Sequence, residues 1–281
     1  MENVYNFNPS EVVKQIEDNW KAWAKLSGAK KFVLGISGGK DSTVVAWLAV
    51  KIFGRKNVFG VLMPNGERQA LNADTALSRC ICEVLGIDFA EINICDAFSC
   101  IADQAFHCCN DNLDDSADDV GIDEAVDSPA RVNLPPRLRM ATLFCVAQQF
   151  KNAVVLCTDN LSESVLGYST FGGDGFGCYA PLKDLTVTEV KQVAAEIGVP
   201  EFLYAKVPSD GLQDKTDEQR FGFTYADVDK CIRTYSDTEP AEIKQLRERI
   251  FKDYYLKNKF KTDIVNVPGP IFNYPNFIKN R

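Results

Sequence analysis

The stretch Lys31–Gly54, KFVLGISGGKDSTVVAWLAVKIFG, constrains this chain more than any other. Phe32, Val33, Leu34 and Ile36 form a short apolar run of the kind that makes a buried strand. Ser37-Gly38-Gly39-Lys40-Asp41-Ser42 then reads as a glycine-rich turn. A helix follows, with Val44, Val45, Trp47, Leu48 and Ile52 on its buried side and Gly54 as its stop. Two adjacent glycines let the backbone approach a ligand closely, and their N–H groups can form an anion nest. The helix behind them presents its positive end to the same anion. The expected guest is a polyphosphate.

The spacing excludes the commonest phosphate loops, because neither G-x-x-x-x-G-K-[ST] nor G-x-G-x-x-G is present. What stands between strand and helix is S-G-G-x-D-S, which resembles the pyrophosphate loop of the ATP pyrophosphatases. Those enzymes cleave ATP to AMP and pyrophosphate while activating a carboxylate or carbonyl. The competing reading is a plain Gly-Gly turn before a helix.

The remaining organisation agrees with an α/β reading. Asn8-Pro9-Ser10-Glu11 opens a helix in which Val12, Val13, Ile16, Trp20, Trp23 and Leu26 recur at helical spacing. After the loop helix, residues 57–63 read as a strand, 68–85 as a helix ending at Gly86, and 88–94 as a third strand. This alternation predicts a doubly wound parallel sheet with helices on both faces, and ligands gather at the carboxyl ends of such strands. Ala153–Thr158 is a fourth strand, and Asp159-Asn160-Leu161-Ser162-Glu163 starts the helix after it. Asp41 and Glu163 are thereby expected to flank one phosphate pocket, where hard carboxylate oxygens can share Mg²⁺ with phosphates.

Three further segments carry expectations. Residues 111–127 hold eight acids and no Lys or Arg, which predicts a solvated, mobile surface loop. Asn133-Leu134-Pro135-Pro136-Arg137-Leu138-Arg139-Met140 opens a helix through Phe150, and its two arginines are candidates for anion contacts or for the surface. Thr170–Gly177 is too rich in glycine for a helix and suggests a substrate loop, and 208–222 has the composition of a lid. Helices are expected near 186–197, 225–235 and 239–257, with no repeat or linker, so residues 1–281 read as one domain.

Composition narrows the function. A net charge of −8 lacks the basic face that nucleic acid requires. No apolar run is long enough to cross a bilayer, and the first residues lack a signal-peptide pattern, so a cytoplasmic location is expected. The ten cysteines contain no C-x-x-C, and His107 is the only histidine. That argues against multi-histidine zinc sites, and against a Ser-His-Asp triad unless His107 serves in it; the thiols read as reduced and structural.

Taken together, GISGGKDS at 35–42, MPNGE at 63–67, NLPPRLRM at 133–140 and CTDNLSE at 157–163 resemble the ammonia-dependent NAD synthetases. GYST at 167–170, VPSDGL at 207–212, KTDE at 215–218 and GFTY at 222–225 extend the resemblance. It implies a homodimer that joins ammonia to the nicotinate carboxyl of deamido-NAD, using ATP and Mg²⁺. By that resemblance Gly35, Ile36, Ser37, Gly38, Gly39, Lys40, Asp41 and Ser42 hold the ATP phosphates, and Thr158 and Ser209 contact the nucleotide. Asp41 and Glu163 match the magnesium ligands, Arg137 a residue on the dinucleotide, and Asp174 the retained acid of a Gly-Asp substrate loop; Asp41 and Asp174 are the catalytic candidates. No nitrilase-like glutaminase domain fits in these residues, which implies free ammonia as donor.

The chain also departs from that pattern. Phe171 stands where a basic residue is usual, Cys178 where an aspartate is, and Val187 where a lysine contacts ATP. Phe260-Lys261 replaces a His-Lys pair. Lys183 is a candidate to reach the phosphates in place of Val187, or a solvated lysine. These departures keep two alternatives open: a related ATP pyrophosphatase that amidates or thiolates another substrate, and a non-catalytic nucleotide-binding protein.

Overall fold

Four strands carry the architecture: β1 (Lys31–Gly35), β2 (Val58–Leu62), β3 (Asp88–Glu91) and β4 (Ala153–Val155). The computed structural model describes residues 6–110, 129–205, 217–234, 240–264 and 267–276. Ser209, the acidic run 111–128 and the lid candidate up to residue 216 lie outside the described residues, as does the side chain of His107. The strands form one parallel sheet in the order β3-β2-β1-β4, with Phe32 opposite Val58, Val33 opposite Val155 and Gly60 opposite Phe89.

The period-two alternation of β1 divides the core. Phe32 and Leu34 face one side with Val58 and Leu62, while Val33 faces the other with Val61 and Val155. The first side is covered by α1 (Pro9–Ser27), α2 (Lys40–Phe53) and α8 (Val187–Glu196). The second is covered by α6 (Pro129–Ala147) through Met140, Leu143 and Ala147. Each of these fully buried Phe, Leu or Val side chains contributes roughly 1.5–3 kcal/mol, so Leu34→Ala would loosen both β1 and the loop it carries. Trp20 of α1 is fully buried against Phe32 and Tyr179, whereas Leu26 on the same helical period is exposed. Because β2 and β3 lie on one side of β1 and β4 on the other, the winding reverses between β1 and β4. That reversal opens a crevice at the strands' carboxyl ends.

Several boundaries differ from the sequence reading. The helix expected at 68–85 is broken into α3 (Glu67–Ala70) and α4 (Ala73–Leu85). Asn72 caps α4 by accepting from Thr75 N at 2.8 Å, and a capping asparagine ends one helix where it starts another. Residues 95–110 form α5 (Cys95–Asn110). α6 begins upstream of its expected start and carries Pro135 and Pro136 inside it. β3 and β4 are shorter than predicted, since β3 is the sheet edge and β4 ends in a bridge from Leu156 to Tyr179.

The rest is helical: α7 (Leu161–Leu166), α9 (Glu201–Tyr204), α10 (Asp217–Phe221) and α11 (Tyr225–Arg233). α12 (Ala241–Arg249) passes through a π-helical segment, Ile250–Tyr255, into α13 (Leu256–Ile264). α10, α11, α12 and the π-helical segment pack in a second apolar cluster around Val228, Ile232 and Phe221, against α7, whereas Leu203 of α9 joins the first cluster beside α2 and α8. Among the described residues no helix is long and apolar enough to cross a membrane.

Candidate active site

The loop between β1 and α2 is shaped by its own side chains. Ser37 Oγ and Ser42 Oγ lie 3.1 Å apart, and the carbonyl of Gly39 accepts from Ser42 Oγ at 3.1 Å and Thr43 Oγ1 at 2.7 Å. Gly38 has φ +77°, and a Cβ there would stand 2.6 Å from the carbonyl oxygen of Asp74, so this position requires glycine. Gly39 heads α2 with no side-chain cap on the first turn. That leaves an anion as a fitting partner for this helix end.

The loop opens on a cavity of about 400 Å³, a size suited to a nucleotide-class ligand. Ser37, Gly39 and Ser42 form one wall, Thr158, Asp159 and Glu163 a second, and Arg139 with Asp174 a third. Glu163 owes its place to a capping box: Asn160 Oδ1 accepts from Glu163 N at 3.1 Å, and Glu163 reaches back to Asn160 N. Asn160 Nδ2 also donates to Asp41 Oδ1 at 3.1 Å, which ties the two carboxylate-bearing helices together.

Negative charge is concentrated here. The buried ammonium of Lys40 lies 2.7 Å from Asp41 Oδ2 and 3.8 Å from Glu163 Oε1. Burial, then the nearby charge of Asp41, pushes the Glu163 carboxyl up to about 8 despite Lys40. Asp159 is held well above the usual carboxylate range by burial and by the charges of Asp174, Glu163 and Asp41. Asp174 is raised by burial, although it accepts from Thr170 N at 2.7 Å. Each of these carboxyls would charge more readily beside a cation.

The donor set fits magnesium bound together with a phosphate. Asp41 and Glu163 supply hard oxygens, and Lys40 stands between them where positive charge is needed. Among the described residues no group of three or more His, Cys, Asp or Glu side chains could hold a metal alone. Mg²⁺ commonly takes one or two carboxylates and completes its shell from phosphate and water.

Of the loop residues expected at the site, Gly35, Ile36, Ser37, Gly39, Lys40, Asp41 and Ser42 line the cavity, as do Thr158, Glu163 and Asp174; Gly38 instead packs on Asp74. Arg137 is exposed and donates from Nε to the carbonyl of Phe171 at 3.1 Å, while Arg139 is the arginine that lines the cavity. Arg139 donates to Met63 O and Gln69 Oε1, a contact across two crossovers that sequence spacing could not show. Lys183 does not reach the site: its Nζ donates to Val267 O at 2.8 Å. Val187 is buried in the second apolar cluster. The departing aromatics Phe171 and Phe260 meet, with ring centroids 6.0 Å apart. Cys178 N pairs with Val155 O. Asp159 and Asn160 were not singled out from the sequence, yet the Asn-x-x-Glu capping signature at 160–163 was readable there.

Known proteins resemble this chain in sequence and in fold. The chain is 37% identical over 208 residues, covering 74% of it and 72% of the relative, to an NH₃-dependent NAD⁺ synthetase of Methanococcoides burtonii. It is 36% identical over 228 residues, covering 81% and 79%, to one of Thermococcus kodakarensis. Among solved structures, the NMN synthetase of Francisella tularensis superposes with a TM-score of 0.67 at 30% identity, covering 87% of this chain and 94% of that one. The NH₃-dependent NAD synthetase of Campylobacter jejuni shares the fold at 23% identity, with a TM-score of 0.69 and coverage of 91% and 96%. With the NAD synthase family model matching residues 12–265 as well, the chain belongs to the NAD synthase family.

Proposed function

We propose that this protein amidates deamido-NAD with free ammonia, consuming ATP and releasing AMP and pyrophosphate. The observation that carries this reading is the convergence of the Ser37–Ser42 loop, Asp41 and Glu163 on one cavity, in a chain of this family. The nicotinate carboxylate attacks the α-phosphorus of ATP, and the bond to pyrophosphate breaks to leave an acyl adenylate. Ammonia then attacks the carbonyl carbon, the C–O bond to AMP breaks, and the nitrogen sheds one proton as the amide forms.

In this scheme the loop amides and the α2 end hold the departing pyrophosphate, where charge builds up in the transition state. Lys40 pairs with Asp41, and more distantly with Glu163, in the free protein and is positioned to turn to a phosphate oxygen when one arrives. Asp41 and Glu163 would hold Mg²⁺, which supplies further charge neutralisation at the leaving group. Thr158 borders the nucleotide, Asp174 and Arg139 face the acyl side, and Ser209 and Arg137 complete the assignment by resemblance. We read residues 1–281 as one such domain, acting in the cytoplasm as a homodimer; the supporting observation is a family match that runs through 12–265.

A second acceptor is favoured by one relative and one feature. The 30%-identical structure is named an NMN synthetase, and the Phe171–Phe260 pair stands where a basic residue and a histidine are usual. A mononucleotide acid presents the same carboxyl on a smaller body with fewer anionic groups to match. The deciding assay supplies ATP, Mg²⁺ and ammonium with deamido-NAD or nicotinate mononucleotide, and measures AMP, pyrophosphate and the amide. Stoichiometric NAD from deamido-NAD is the expected result; faster turnover of the mononucleotide would move the assignment to the second acceptor.

A further inference from the structure

α7 carries Glu163 on a helix of only 6 residues, a length at which a helix is not stable by itself. Leu161 N, the first amide of α7, donates to Leu185 O at 2.8 Å. The fully buried Ser162 hydroxyl donates to Asp229 Oδ1 at 2.5 Å and accepts from Val187 N at 3.1 Å. Asp229 Oδ2 accepts from Thr188 N at 2.7 Å. The one donor of Ser162 and both oxygens of Asp229 are committed, so neither side chain can turn without stranding a buried partner.

The same contacts start α8. Val187, Thr188 and Glu189 bear its first amides, which have no acceptor inside the helix. They donate to Ser162 Oγ, Asp229 Oδ2 and Thr186 Oγ1. One carboxylate and one hydroxyl thus join α7, α8 and α11 at a single buried point. Among the described residues, neither α8 nor α11 supplies a side chain to the wall of the nucleotide cavity. Asp229 instead meets α7 at Ser162, one residue before Glu163. Successive residues of an α-helix point about 100° apart, so the direction in which Ser162 is held sets the direction of the Glu163 carboxylate. On the cavity side Asn160 holds Glu163 N and donates to Asp41, which clamps α7 from both sides.

We propose that Asp229 is a positioning residue for the magnesium site: through Ser162 it fixes the turn of α7 that brings the Glu163 carboxylate onto the same metal as Asp41. The proposal rests on the functional reading above, in which Asp41 and Glu163 hold Mg²⁺ with the ATP phosphates. A purely structural bond between Ser162 and Asp229 would stabilise the fold and leave metal affinity alone.

That difference is measurable by calorimetry with α,β-methylene-ATP, once with Mg²⁺ and once in EDTA. The Kd in EDTA divided by the Kd with Mg²⁺ gives the gain due to the metal. Changing a residue that orients a metal ligand costs roughly 10–100-fold in metal affinity. In Ser162→Ala and in Asp229→Asn the gain should therefore fall about ten-fold, while Kd in EDTA stays within about two-fold. Folded variants that keep the parental gain overturn the proposal, however far their melting temperature has dropped. The unaltered protein supplies a second measurement that no folding defect can spoil. Coupling is reciprocal, so Mg²⁺ with the analogue should slow hydrogen exchange at Val187 N and Thr188 N about ten-fold more than at Phe272 N, which donates to Asp184. Equal slowing at all three amides overturns the proposal as well. Glu163→Ala keeps the two levels apart. A parent that gains nothing from Mg²⁺, or a gain that survives in Glu163→Ala, sinks the metal reading itself. A gain lost in Glu163→Ala but kept in Ser162→Ala and Asp229→Asn sinks only the positioning role.

Discussion

Two polar clusters, one buried and one lining the cavity, lie on either side of α7 and are built on opposite terms. Behind it, Arg233 donates from Nε and Nη2 to the two oxygens of Glu189, at 2.7 Å each, and from Nη2 and Nη1 to the carbonyls of Asp184 and Pro275. Asp229 accepts from Ser162 Oγ at 2.5 Å and Thr188 N at 2.7 Å, and Asp184 accepts from Phe272 N. Every one of these charges has a partner inside the protein. In front of α7, Asp41, Glu163, Asp159 and Asp174 crowd one cavity with Lys40 and Arg139 as the cations lining it. Burial and repulsion by neighbouring carboxylates raise Glu163 and Asp159, and burial raises Asp174, which fits a cluster whose counter-charge arrives with a ligand. The rear cluster is satisfied within the fold; the front one, in the function proposed, is satisfied by substrate. α7 is shared, since Ser162 belongs to the first and Glu163 to the second.

The largest effect expected from this contrast is on stability. Arg233→Met strands the fully buried Glu189 carboxylate, and breaking a buried pair from one side costs roughly 3–5 kcal/mol. Denaturant unfolding should show that loss, and pairing the change with Glu189→Gln should recover much of it. A cost under about 1 kcal/mol would mean the rear cluster is not structural in the sense argued.

Glu163→Ala tests the front cluster in the opposite currency. Loss of a group that acts on transition-state charge should lower kcat by about 10²–10³ at saturating Mg²⁺, with little change in the unfolding midpoint. Turnover close to that of the parent would remove Glu163 from the chemistry. A smaller effect is expected at the aromatic pair. Phe171→Lys restores a charge-assisted contact worth roughly 1.5–3 kcal/mol, so KM for deamido-NAD should fall by about one to two decades while KM for ATP holds. If the variant leaves deamido-NAD unimproved, the mononucleotide reading gains.

The smallest effect is a drift with pH. Glu163 is raised from 4.5 to about 8 in the fold, and Asp159, Asp174 and Asp229 are raised as well. Between the unfolded and folded values the native state binds more protons than the unfolded chain, so stability falls as pH rises through that window. In EDTA, melting temperature should therefore decline from about pH 5 to about pH 8, and Mg²⁺ with pyrophosphate should flatten the decline. A melting temperature that climbs across this range without ligand would contradict the charge picture of the front cluster.

Much of the site was legible because its signals are local. A strand, a Gly-Gly turn and a helix announce themselves within a few residues of one another, since backbone freedom, helix ends and apolar period are short-range properties. The same holds for Asn160 and Glu163, whose capping box needs four consecutive positions. The alternation of strands and helices puts Asp41 and Glu163 each just beyond a strand's carboxyl end, whereas the pairing of those two strands is a property of the sheet order. What only the tertiary structure decided is where long side chains turn. Arg139 rather than Arg137 faces the cavity because α6 lies across β1 and β4 with that face inward. Lys183 goes to Val267 and not to the phosphates because the segment 267–276 runs alongside it. Phe171 meets Phe260 through packing of α13 on the glycine-rich loop that no periodicity encodes. Local sequence set the elements and the loop chemistry, whereas the pairing of distant charges depended on how those elements crossed, because such contacts join residues that share no period and no turn.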